Sequence, residues 1–323
     1  MAARSLLDGI GAYLPERILS NEELSLSLDT SDAWIRERTG IHQRHIAGAH
    51  ETAAYMGAKA ARAALADGGA SPAEVDAVIV ATSTPDQAFP ATAVRVQAAL
   101  GIERGFAFDL AAACSGFVYA LSVADALLRA GQAGTALVIG SEVYSRILDW
   151  KDRGTCVLFG DGAGAVFLRA GQGGGGSDRG ILSTHLHAQG AHGDILYVDG
   201  AVGRPDRPGF LMMNGREVFR HAVTRLAEVV DEALAANGLE RRQVDWLVPH
   251  QANRRIIDAM GRKLGLPPER VVQTVDRHAN TSAASIPLAL AEAVADGRIR
   301  QGDLVLMEAL GGGLTWGAAL VRM

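Results

Sequence analysis

The sequence is short of cysteine, of positive charge and of long apolar runs. Its two cysteines do not suggest a disulfide framework, and no cluster of Cys and His has the spacing of a metal site. The net charge of −5 argues against a general nucleic-acid binder. No apolar run is long enough to cross a bilayer, and residues 1–16 lack the apolar core and cleavage site of a signal peptide. These absences predict a cytoplasmic protein with no membrane or nucleic-acid partner.

The chain does have the length and the apolar content for a large core. Its 323 residues, 48% hydrophobic and 21% charged, lie in the range of soluble globular proteins. Strand-like apolar segments alternate with helix-like segments along the chain. This alternation predicts an α/β fold with a mainly parallel sheet covered by helices.

The same order of segments occurs twice. Residues 64–82 resemble residues 233–251, and Val75 matches Val244 at an offset of 169 (244 − 75). Three further matches follow in the same order: 108–121 with 275–290, 135–142 with 303–310, and 160–168 with 315–323. Four ordered matches predict two copies of one α/β unit that face each other across a pseudo-twofold axis.

We place the first copy at residues 1–170 and the second at 181–323, joined by a glycine-rich connector at 171–180. Cys114 falls in the first copy. Asn280 is expected within about one residue of the equivalent point in the second copy. Such an arrangement brings polar residues together at the junction of the two halves, where pockets commonly form.

The most informative single residue is Cys114. It follows a short apolar segment and three alanines, and it begins a helix whose apolar face carries Phe117 and Leu121. The first N–H groups of a helix have no internal partner and carry partial positive charge, so a thiol there is expected to have a lowered pKa. The local pattern also fits a buried cysteine that acts as a small hydrophobic residue.

Two further polar residues stand at similar junctions. His250 follows a strand-like segment whose pairing Pro249 should end. Asn280 follows the β-like run 271–275 and precedes an apolar helix. Each is weak evidence alone, but a Cys, a His and an Asn at three strand-to-helix junctions form a specific set. Cys156, in contrast, is expected to be an inert core residue in a buried strand.

Four motifs together resemble a known family. They are DLAAACSGF (109–117), VPHQAN (248–253), HANTSAAS (278–285) and EALGGGLTWG (308–317). They are similar to the thiolase-fold condensing enzymes, and within these to the β-ketoacyl-acyl-carrier-protein synthase III family, over essentially the whole chain. The resemblance implies duplicated α/β halves in a layered α-β-α-β-α architecture. It also implies decarboxylative condensation of an acyl-CoA with malonyl-acyl carrier protein, which gives 3-oxoacyl-acyl carrier protein, CO2 and CoA.

The resemblance assigns catalytic roles to particular residues. Cys114 would take the acyl group from CoA, and His250 and Asn280 would stabilise the enolate that forms when the malonyl group loses CO2. The backbone N–H groups of Cys114 and Gly312 would form an oxyanion hole. Taken alone, residues 311–313 would also fit a simple turn. The implied reaction needs no metal and no redox cofactor.

The resemblance also implies a channel for CoA and the phosphopantetheine arm. Trp34 and Arg153 are expected to hold the adenine between them by stacking and cation–π contact. The other matched positions are Arg38, Gly215, Phe219, Ala252, Asn253 and Arg255. Without the resemblance, any one of the arginines would more simply be a solvated surface residue.

The helix after His250 carries a basic patch on an acidic protein. Arg255 and Arg262, seven residues apart, share one face of this helix. The patch comprises Arg254, Arg255, Arg262 and Lys263. It fits docking of the acidic acyl carrier protein, although an ordinary solvated face has the same composition.

Two positions bear on the acyl pocket. Phe89 matches the residue that closes the pocket from the partner subunit of a homodimer, and its bulk favours short starters such as acetyl. Leu310 stands where many family members have Phe, so the pocket near Cys114 is expected to differ in shape.

Two other functions stay open from the sequence. A related enzyme could transfer the acyl group from Cys114 to another acceptor, for example in specialised metabolism, or hydrolyse it. A non-catalytic scaffold is the third interpretation, and the complete Cys-His-Asn set argues against it.

Overall fold

The structure is a computed structural model that describes residues 4–171, 179–200 and 204–323. Most of the expected connector, residues 172–178, lies outside the described residues, so the boundaries of the two copies stay a prediction. Within the described ranges, no helix is both long enough and apolar enough to cross a membrane.

The strands of the described residues form two main sheets and two short ribbons. They are β1 (Ser5–Tyr13), β2 (Ile18–Ser20), β3 (Gln43–His45), β4 (Ala77–Ala81), β5 (Phe106–Leu110), β6 (Thr135–Val143), β7 (Asp161–Ala170), β8 (Gly180–Ala188), β9 (Leu196–Asp199), β10 (Phe210–Met213), β11 (Trp246–Pro249), β12 (Leu304–Gly311) and β13 (Thr315–Arg322). The first sheet has the order β1-β7-β6-β4-β5, and the second has the order β8-β13-β12-β11. The pairs β2–β3 and β9–β10 form the separate antiparallel ribbons.

The two sheets share one pattern of pairing. In the first sheet β1, β7 and β6 are antiparallel neighbours, whereas β6, β4 and β5 run parallel. In the second sheet β8, β13 and β12 are antiparallel neighbours, and β12 runs parallel to β11. A single parallel bridge between Leu247 and Val271 stands where the first sheet has β5. Each sheet is therefore mixed rather than mainly parallel, because connections without a crossover helix join antiparallel strands.

The helices build three further layers. They are α1 (Asn21–Ser25), α2 (Asp32–Thr39), α3 (Ala53–Asp67), α4 (Thr92–Leu100), α5 (Gly116–Arg129), α6 (Gly215–Ala236), α7 (Arg254–Leu264), α8 (Val275–His278) and α9 (Ser285–Ala295). One buried apolar cluster joins α5 and α9 to strands of both sheets, so these helices form the central layer. A second cluster packs α3 and α4 on the first sheet, and a third packs α6 and α7 on the second. The predicted α-β-α-β-α order is confirmed.

The offset of 169 residues is also present in the structure. Short 3-10 turns at Pro72–Glu74 and Arg241–Gln243 precede the equivalent strands β4 and β11 (241 − 72 = 169). The 3-10 turns Ala113–Ser115 and Ser282–Ala284 precede α5 and α9 at the same offset. The first residue of each of these two turns has a positive φ, 45° and 51°, which is uncommon outside glycine. The duplication therefore extends to the backbone conformation.

The same offset corrects the expected position of Asn280. The residue equivalent to Cys114 in the second unit is Ala283 (283 − 114 = 169), so Asn280 lies three residues before the equivalent point rather than within one. The sequence match had aligned the two segments by their apolar residues, which do not fix the register of a turn.

Two expected strands are absent. In the run 271–275 only Val271 makes a β-bridge. The N–H groups of Thr274 and Val275 donate to the side-chain oxygen of Gln251 instead of to a neighbouring strand. Cys156 is fully buried as expected, but it lies in a series of turns around Asp152 rather than in a strand.

Candidate active site

Cys114 lies in the turn that leads into α5. It is the middle residue of the 3-10 turn Ala113–Ser115, and α5 begins two residues later at Gly116. The left-handed conformation of Ala113 turns the chain sharply just before the cysteine. The side chain is buried, with 4% of its surface exposed. The prediction of a cysteine at the start of a helix is confirmed.

The predicted lowering of the thiol pKa is wrong. Burial raises the pKa of Cys114 to about 12, the Glu142 carboxylate acts in the same direction, and the Ser282 hydroxyl opposes both. A helix N-terminus stabilises a negative charge by about 0.3–1 kcal/mol, which is less than one pKa unit. Desolvation of a buried thiol outweighs that effect. The thiol is therefore neutral at physiological pH and must lose its proton as it attacks.

His250 follows β11 directly. Pro249 does not end the pairing: it still pairs with Glu308, and the His250 N–H donates to the Glu308 carbonyl at 2.8 Å. The imidazole is 6% exposed, and burial lowers the pKa of His250 to about 3. The ring is therefore neutral at physiological pH and offers one neutral N–H donor.

Asn280 is fixed by backbone hydrogen bonds on both sides. Its N–H donates to the Leu158 carbonyl at 2.9 Å, and its carbonyl accepts from the Gly160 N–H at 3.0 Å. The side-chain oxygen accepts from the Ser282 N–H at 2.9 Å. In the described part of the chain the side-chain nitrogen makes no hydrogen bond to another protein group, so it is available as a donor.

The side chains of Cys114, His250 and Asn280 line one cavity of about 240 Å³. The structure thus brings together the three residues that the sequence had singled out. The same cavity is lined by most of the residues assigned to the CoA channel: Trp34, Arg38, Arg153, Gly215, Phe219, Ala252 and Asn253. Leu310 also lines this cavity. Among the described residues, no group of three or more His, Cys, Asp or Glu side chains is placed to hold a metal ion.

Two arginines stack on Trp34. The guanidinium carbons of Arg38 and Arg153 lie 4.7 and 4.9 Å from the centroid of the indole ring. Arg153 is also held by Asp29, whose carbonyl accepts a hydrogen bond from it and whose carboxylate lies 3.6 Å away. A flat ring in contact with both Trp34 and a guanidinium needs a separation of about 7 Å. An adenine therefore enters between Trp34 and Arg153 only if Arg153 moves away from the indole.

A second cavity, of about 160 Å³, also reaches Cys114. Sequence reasoning missed most of its wall, because much of that wall comes from the β9–β10 ribbon, where no motif marks a function. The lining residues other than Cys114 are Ser83, Ala113, Tyr144, Phe159, Leu196, Tyr197, Val198, Leu211 and Gly312. Apart from Ser83 and the hydroxyls of the two tyrosines, their side chains are apolar, as expected for a pocket that holds a hydrocarbon chain.

Cys114 and Gly312, which both line the second cavity, each carry a backbone N–H group. Among the described residues, neither donates to another protein group. Glycine is needed at the neighbouring positions for this approach: a Cβ on Gly311 would lie 2.6 Å from the Cys114 nitrogen, and one on Gly312 would lie 2.6 Å from the Leu196 carbonyl oxygen. The glycine run therefore lets the backbone at residues 311–312 lie close to Cys114 and Leu196.

The docking residues predicted on α7 all lie on its exposed face. Arg254 forms an ion pair with Asp258 at 3.6 Å. The Arg255 guanidinium lies 5.6 Å from the centroid of the Phe219 ring, which lines the first cavity. Arg262 and Lys263 are exposed in the last turn of the helix. Phe89 is 84% exposed and lines neither of the two cavities of its own chain.

Sequence reasoning also missed a buried polar network next to Cys114. The Ser282 hydroxyl lies 3.1 Å from the Glu142 carboxylate and 3.0 Å from the Tyr144 hydroxyl. Burial raises the pKa of Glu142 to about 7. One feature of the sequence could have indicated this network: Glu142 lies near the end of the apolar strand β6. Glutamate is almost never fully buried without a partner, so its presence there predicts polar neighbours.

Comparison with known proteins gives two matches to family descriptions. "3-Oxoacyl-[acyl-carrier-protein (ACP)] synthase III" matches residues 108–190, and "3-Oxoacyl-[acyl-carrier-protein (ACP)] synthase III C terminal" matches residues 234–323. A "Beta-ketoacyl-[acyl-carrier-protein] synthase III" of Acidiphilium cryptum is 74% identical over 319 residues, 99% of each chain. This chain belongs to the β-ketoacyl-acyl-carrier-protein synthase III family.

Other members of the family agree in sequence and in structure. The synthase III of Granulibacter bethesdensis is 67% identical over 320 residues, 99% of each chain. The crystal structure of 3-oxoacyl-[acyl-carrier-protein] synthase III from Aquifex aeolicus superimposes with a TM-score of 0.93 at 46% identity, covering 99% of this chain and 100% of that one. As a member of the synthase III family, the protein is a condensing acyltransferase of fatty acid synthesis with the thiolase fold.

Proposed function

We propose that this protein condenses a short acyl-CoA, with acetyl-CoA as its starter, with malonyl-acyl carrier protein. The products are 3-oxoacyl-acyl carrier protein, CO2 and CoA, formed by a ping-pong mechanism through an acyl-Cys114 intermediate in the cytoplasm. The observation that carries the proposal is the single cavity shared by Cys114, His250 and Asn280 with Trp34 and its two arginines. The two thioesters supply the reacting groups, so the proposal includes no metal or other cofactor.

The first half-reaction is acylation of Cys114. The thiol attacks the acyl-CoA carbonyl, and negative charge develops on the carbonyl oxygen. In this proposal that oxygen accepts hydrogen bonds from the N–H groups of Cys114 and Gly312, two residues that line the second cavity, and each such donor is worth roughly 3–4 kcal/mol in the transition state. The acyl chain then occupies the second cavity, while CoA leaves through the first.

The second half-reaction is decarboxylative condensation. The malonyl thioester takes the place of CoA in the first cavity, and loss of CO2 builds charge on its thioester oxygen. Neutral donors stabilise that enolate without a change of ionisation: the N–H of His250, whose pKa is about 3, and the amide of Asn280. The resulting carbanion attacks the acyl carbon, and the Cys114 sulphur leaves.

A two-stage assay tests the proposal and separates it from the alternatives. Acyl-enzyme is formed with acetyl-CoA, freed of excess substrate, and mixed with malonyl-acyl carrier protein. Release of CO2 together with 3-oxoacyl-acyl carrier protein supports condensation. An acyltransferase or hydrolase of the same fold would lose the acyl group without CO2, and a scaffold would form no acyl-enzyme at all.

The exposed cations of α7 lead to a prediction about carrier docking. Arg262→Glu is expected to raise KM for malonyl-acyl carrier protein by roughly fivefold to tenfold, because a repulsive charge then faces an acidic partner. The rate of acylation by acetyl-CoA should change little, since Arg262 lines neither cavity. Arg255 is a less clean test because it also contacts Phe219.

The control for docking is Lys59→Glu. Lys59 is an exposed cation on α3, which covers the other sheet. Lys59→Glu changes the net charge of the protein by the same amount as Arg262→Glu, but at a different surface. It should therefore leave KM for the carrier unchanged. Equal effects of Arg262→Glu on both substrates, or an equal effect of Lys59→Glu, would exclude α7 as the docking surface.

We also infer a homodimer formed through β5. This strand is at the edge of the first sheet, where it pairs only with β4 among the described residues. Phe106 at its start is 37% exposed and stacks on Phe108. Asp109 of β5 accepts hydrogen bonds from the first N–H groups of α4, beginning with Thr92. Phe89 is only three residues before Thr92, so it lies near the β5 edge. An exposed apolar edge strand favours pairing with a second copy, which would place Phe89 against the partner.

The small second cavity leads to a prediction about the starter. A cavity of about 150 Å³ holds a six-carbon molecule such as benzene, and the cavity beside Cys114 has a volume of about 160 Å³. Acetyl-CoA and propionyl-CoA should therefore be used well, and chains beyond about six to eight carbons poorly. The measurement is kcat/KM over an acyl-CoA series with malonyl-acyl carrier protein. Efficient use of decanoyl-CoA by the wild type would exclude a closed short pocket.

Phe89→Ala should extend the range of starters toward longer chains. Its control is Leu26→Ala, because Leu26 is as exposed as Phe89, 87% against 84%, but lies at the end of α1. Sedimentation of each variant shows whether the dimer is kept. An unchanged starter range in a dimeric Phe89→Ala protein would mean that this residue does not close the pocket.

A further inference from the structure

A path of buried polar groups leads from Cys114 into the core. The Ser282 hydroxyl lies 3.0 Å from the hydroxyl of Tyr144, which lines the second cavity together with Cys114. The Ser282 hydroxyl opposes the rise in the pKa of the Cys114 thiol that burial causes. The same hydroxyl lies 3.1 Å from Oε1 of Glu142. None of the side chains of Cys114, Ser282 and Glu142 is more than 4% exposed. A carboxylate therefore stands one hydrogen bond away from the hydroxyl that acts on the nucleophile, and all three side chains are buried.

The carboxylate of Glu142 is anchored so that one oxygen stays available. Oε2 accepts from the Thr82 hydroxyl at 3.3 Å, the Ser83 N–H at 3.0 Å and the Thr84 hydroxyl at 2.6 Å. In the described part of the chain Oε1 accepts only from Ser282. Three donors on one oxygen fix the side chain, and the single hydroxyl on the other leaves a lone pair that can take a proton.

His250 is a weaker base than Glu142. Burial lowers the pKa of His250 to about 3 and raises that of Glu142 to about 7, so the carboxylate holds a proton more tightly than the imidazole does. His250 is also needed as a neutral donor in the second half-reaction. Of these two buried groups, Glu142 is therefore the better proton acceptor.

We propose that Glu142 takes the Cys114 proton through Ser282 during acylation and returns it during condensation. As the bond between Cys114 sulphur and the acyl carbon forms, the thiol proton passes to the Ser282 oxygen, and the hydroxyl proton of Ser282 passes to Oε1 of Glu142. CoA leaves as a thiolate and takes one proton from water. This inference rests on acylation of Cys114, as in the proposed function.

The second half-reaction restores the starting state. The carbanion forms its bond to the acyl carbon, the bond from that carbon to the Cys114 sulphur breaks, and Glu142 returns its proton through Ser282 to the sulphur. One proton from solvent is consumed in the whole cycle, by the departing CoA. That is the balance of the overall reaction, in which malonyl carboxylate leaves as CO2 and CoA is released as a thiol.

The pH dependence of acylation follows from the groups that face Glu142. Two of them titrate, Cys114 from the turn before α5 and Tyr144 after β6. Burial raises the pKa of Cys114 to about 12 and raises the pKa of Tyr144 well above its usual value. The remaining neighbours are hydroxyls and a backbone N–H. Burial raises the pKa of Glu142 to about 7, so its carboxylate is ionised above and protonated below that pH. The rate of acylation should therefore rise with pH through about 7 and then level off.

The test is the rate of acylation by acetyl-CoA, measured by rapid quench and intact-protein mass spectrometry across this pH range. Glu142→Gln keeps the size of the side chain but cannot take the proton, so the rate near neutral pH should fall about 100-fold. The rise near pH 7 should vanish and be replaced by a continuing increase with hydroxide concentration. Ser282→Ala, which interrupts the path, should have the same two effects.

Asp161→Asn is the matched control. Asp161 is another fully buried carboxylate with a raised pKa, but its partners are Ala47 and Ser145, and none of these three residues lines a cavity that reaches Cys114. Its loss should leave the pH profile unchanged. A Glu142→Gln protein that acylates as fast as the wild type overturns the proposal. So does a slower protein that keeps the rise near pH 7, because only a structural role would then remain.

A second measurement keeps the test independent of the substrate. Alkylation of Cys114 by iodoacetamide, followed by peptide mass mapping, should show the same rise near pH 7 in the wild type and its loss in Glu142→Gln. If the wild type accepts no acyl group from acetyl-CoA, the proposed function fails, and the alkylation profile still decides the proton path. Equal alkylation profiles in the two proteins would overturn it.

Discussion

Cys114→Ser is expected to abolish formation of the acyl-enzyme. A serine hydroxyl at this buried turn is a far weaker nucleophile than a thiol and holds its proton more tightly, so the rate of acylation should fall on the order of a thousandfold or more. Intact-protein mass spectrometry after incubation with acetyl-CoA measures the loss directly. The backbone N–H groups of the proposed oxyanion hole are unchanged in this variant, so the loss reports on the nucleophile alone.

Cys156→Ser is the matched control for this experiment. Cys156 is as buried as Cys114, and burial raises the pKa of its thiol to about 11, but it lines neither cavity. The variant should therefore be acylated like the wild type. Acyl mass on the Cys114→Ser protein, or acyl mass mapped to Cys156, would contradict the assignment of the nucleophile.

The fold could be predicted from the sequence because the duplication leaves a regular trace. The offset between Val75 and Val244 recurs in the 3-10 turns, in the strand pairs β4/β11 and β6/β12, and in the central helices α5 and α9. Helix–loop–strand units of this kind are encoded locally, in apolar periodicity and turn residues. The register of residues within a turn is not encoded in that way. Asn280 was therefore expected within about one residue of the position equivalent to Cys114, whereas it lies three residues before that position.

The electrostatic state of Cys114 could not be predicted from its neighbours in sequence. Its position at the start of a helix was correct, but the pKa depends on how much protein surrounds the thiol and on the carboxylate of Glu142, 28 residues away along the chain (142 − 114). Burial and long-range neighbours are products of the folded chain. A local motif therefore predicts where a nucleophile stands better than it predicts its ionisation.

The walls of the second cavity were missed for a similar reason. Leu196 and Leu211 belong to a short ribbon that carries no catalytic motif, and they come to line a cavity with the nucleophile only after folding. Leu310, which the sequence suggested for the acyl pocket, lines the first cavity instead. Starter selectivity is therefore expected to depend on the ribbon more than on the residue next to the glycine run.

The two neutral donors of the first cavity lead to the second large effect. His250→Ala and Asn280→Ala should each still accept an acyl group from acetyl-CoA, because neither side chain is needed to acylate Cys114. Decarboxylation of malonyl-acyl carrier protein should fall by about 100-fold to 1,000-fold in each, since one enolate donor is lost. Acyl-enzyme mass and release of labelled CO2 measure the two steps separately.

His278→Gln is the control for these variants, because His278 is another buried histidine whose pKa burial lowers to about 3, yet it lines neither cavity. It should release CO2 like the wild type.

The pH dependence gives a further check on His250. A depressed pKa of about 3 keeps the ring neutral at every pH above about 5, so decarboxylation by preformed acyl-enzyme should show no loss of rate on the acid side until pH falls well below 5. A loss of rate near pH 6.5 would mean that His250 titrates as an exposed histidine does. If the His250→Ala or Asn280→Ala protein condensed at the wild-type rate, that residue would not belong to the enolate site.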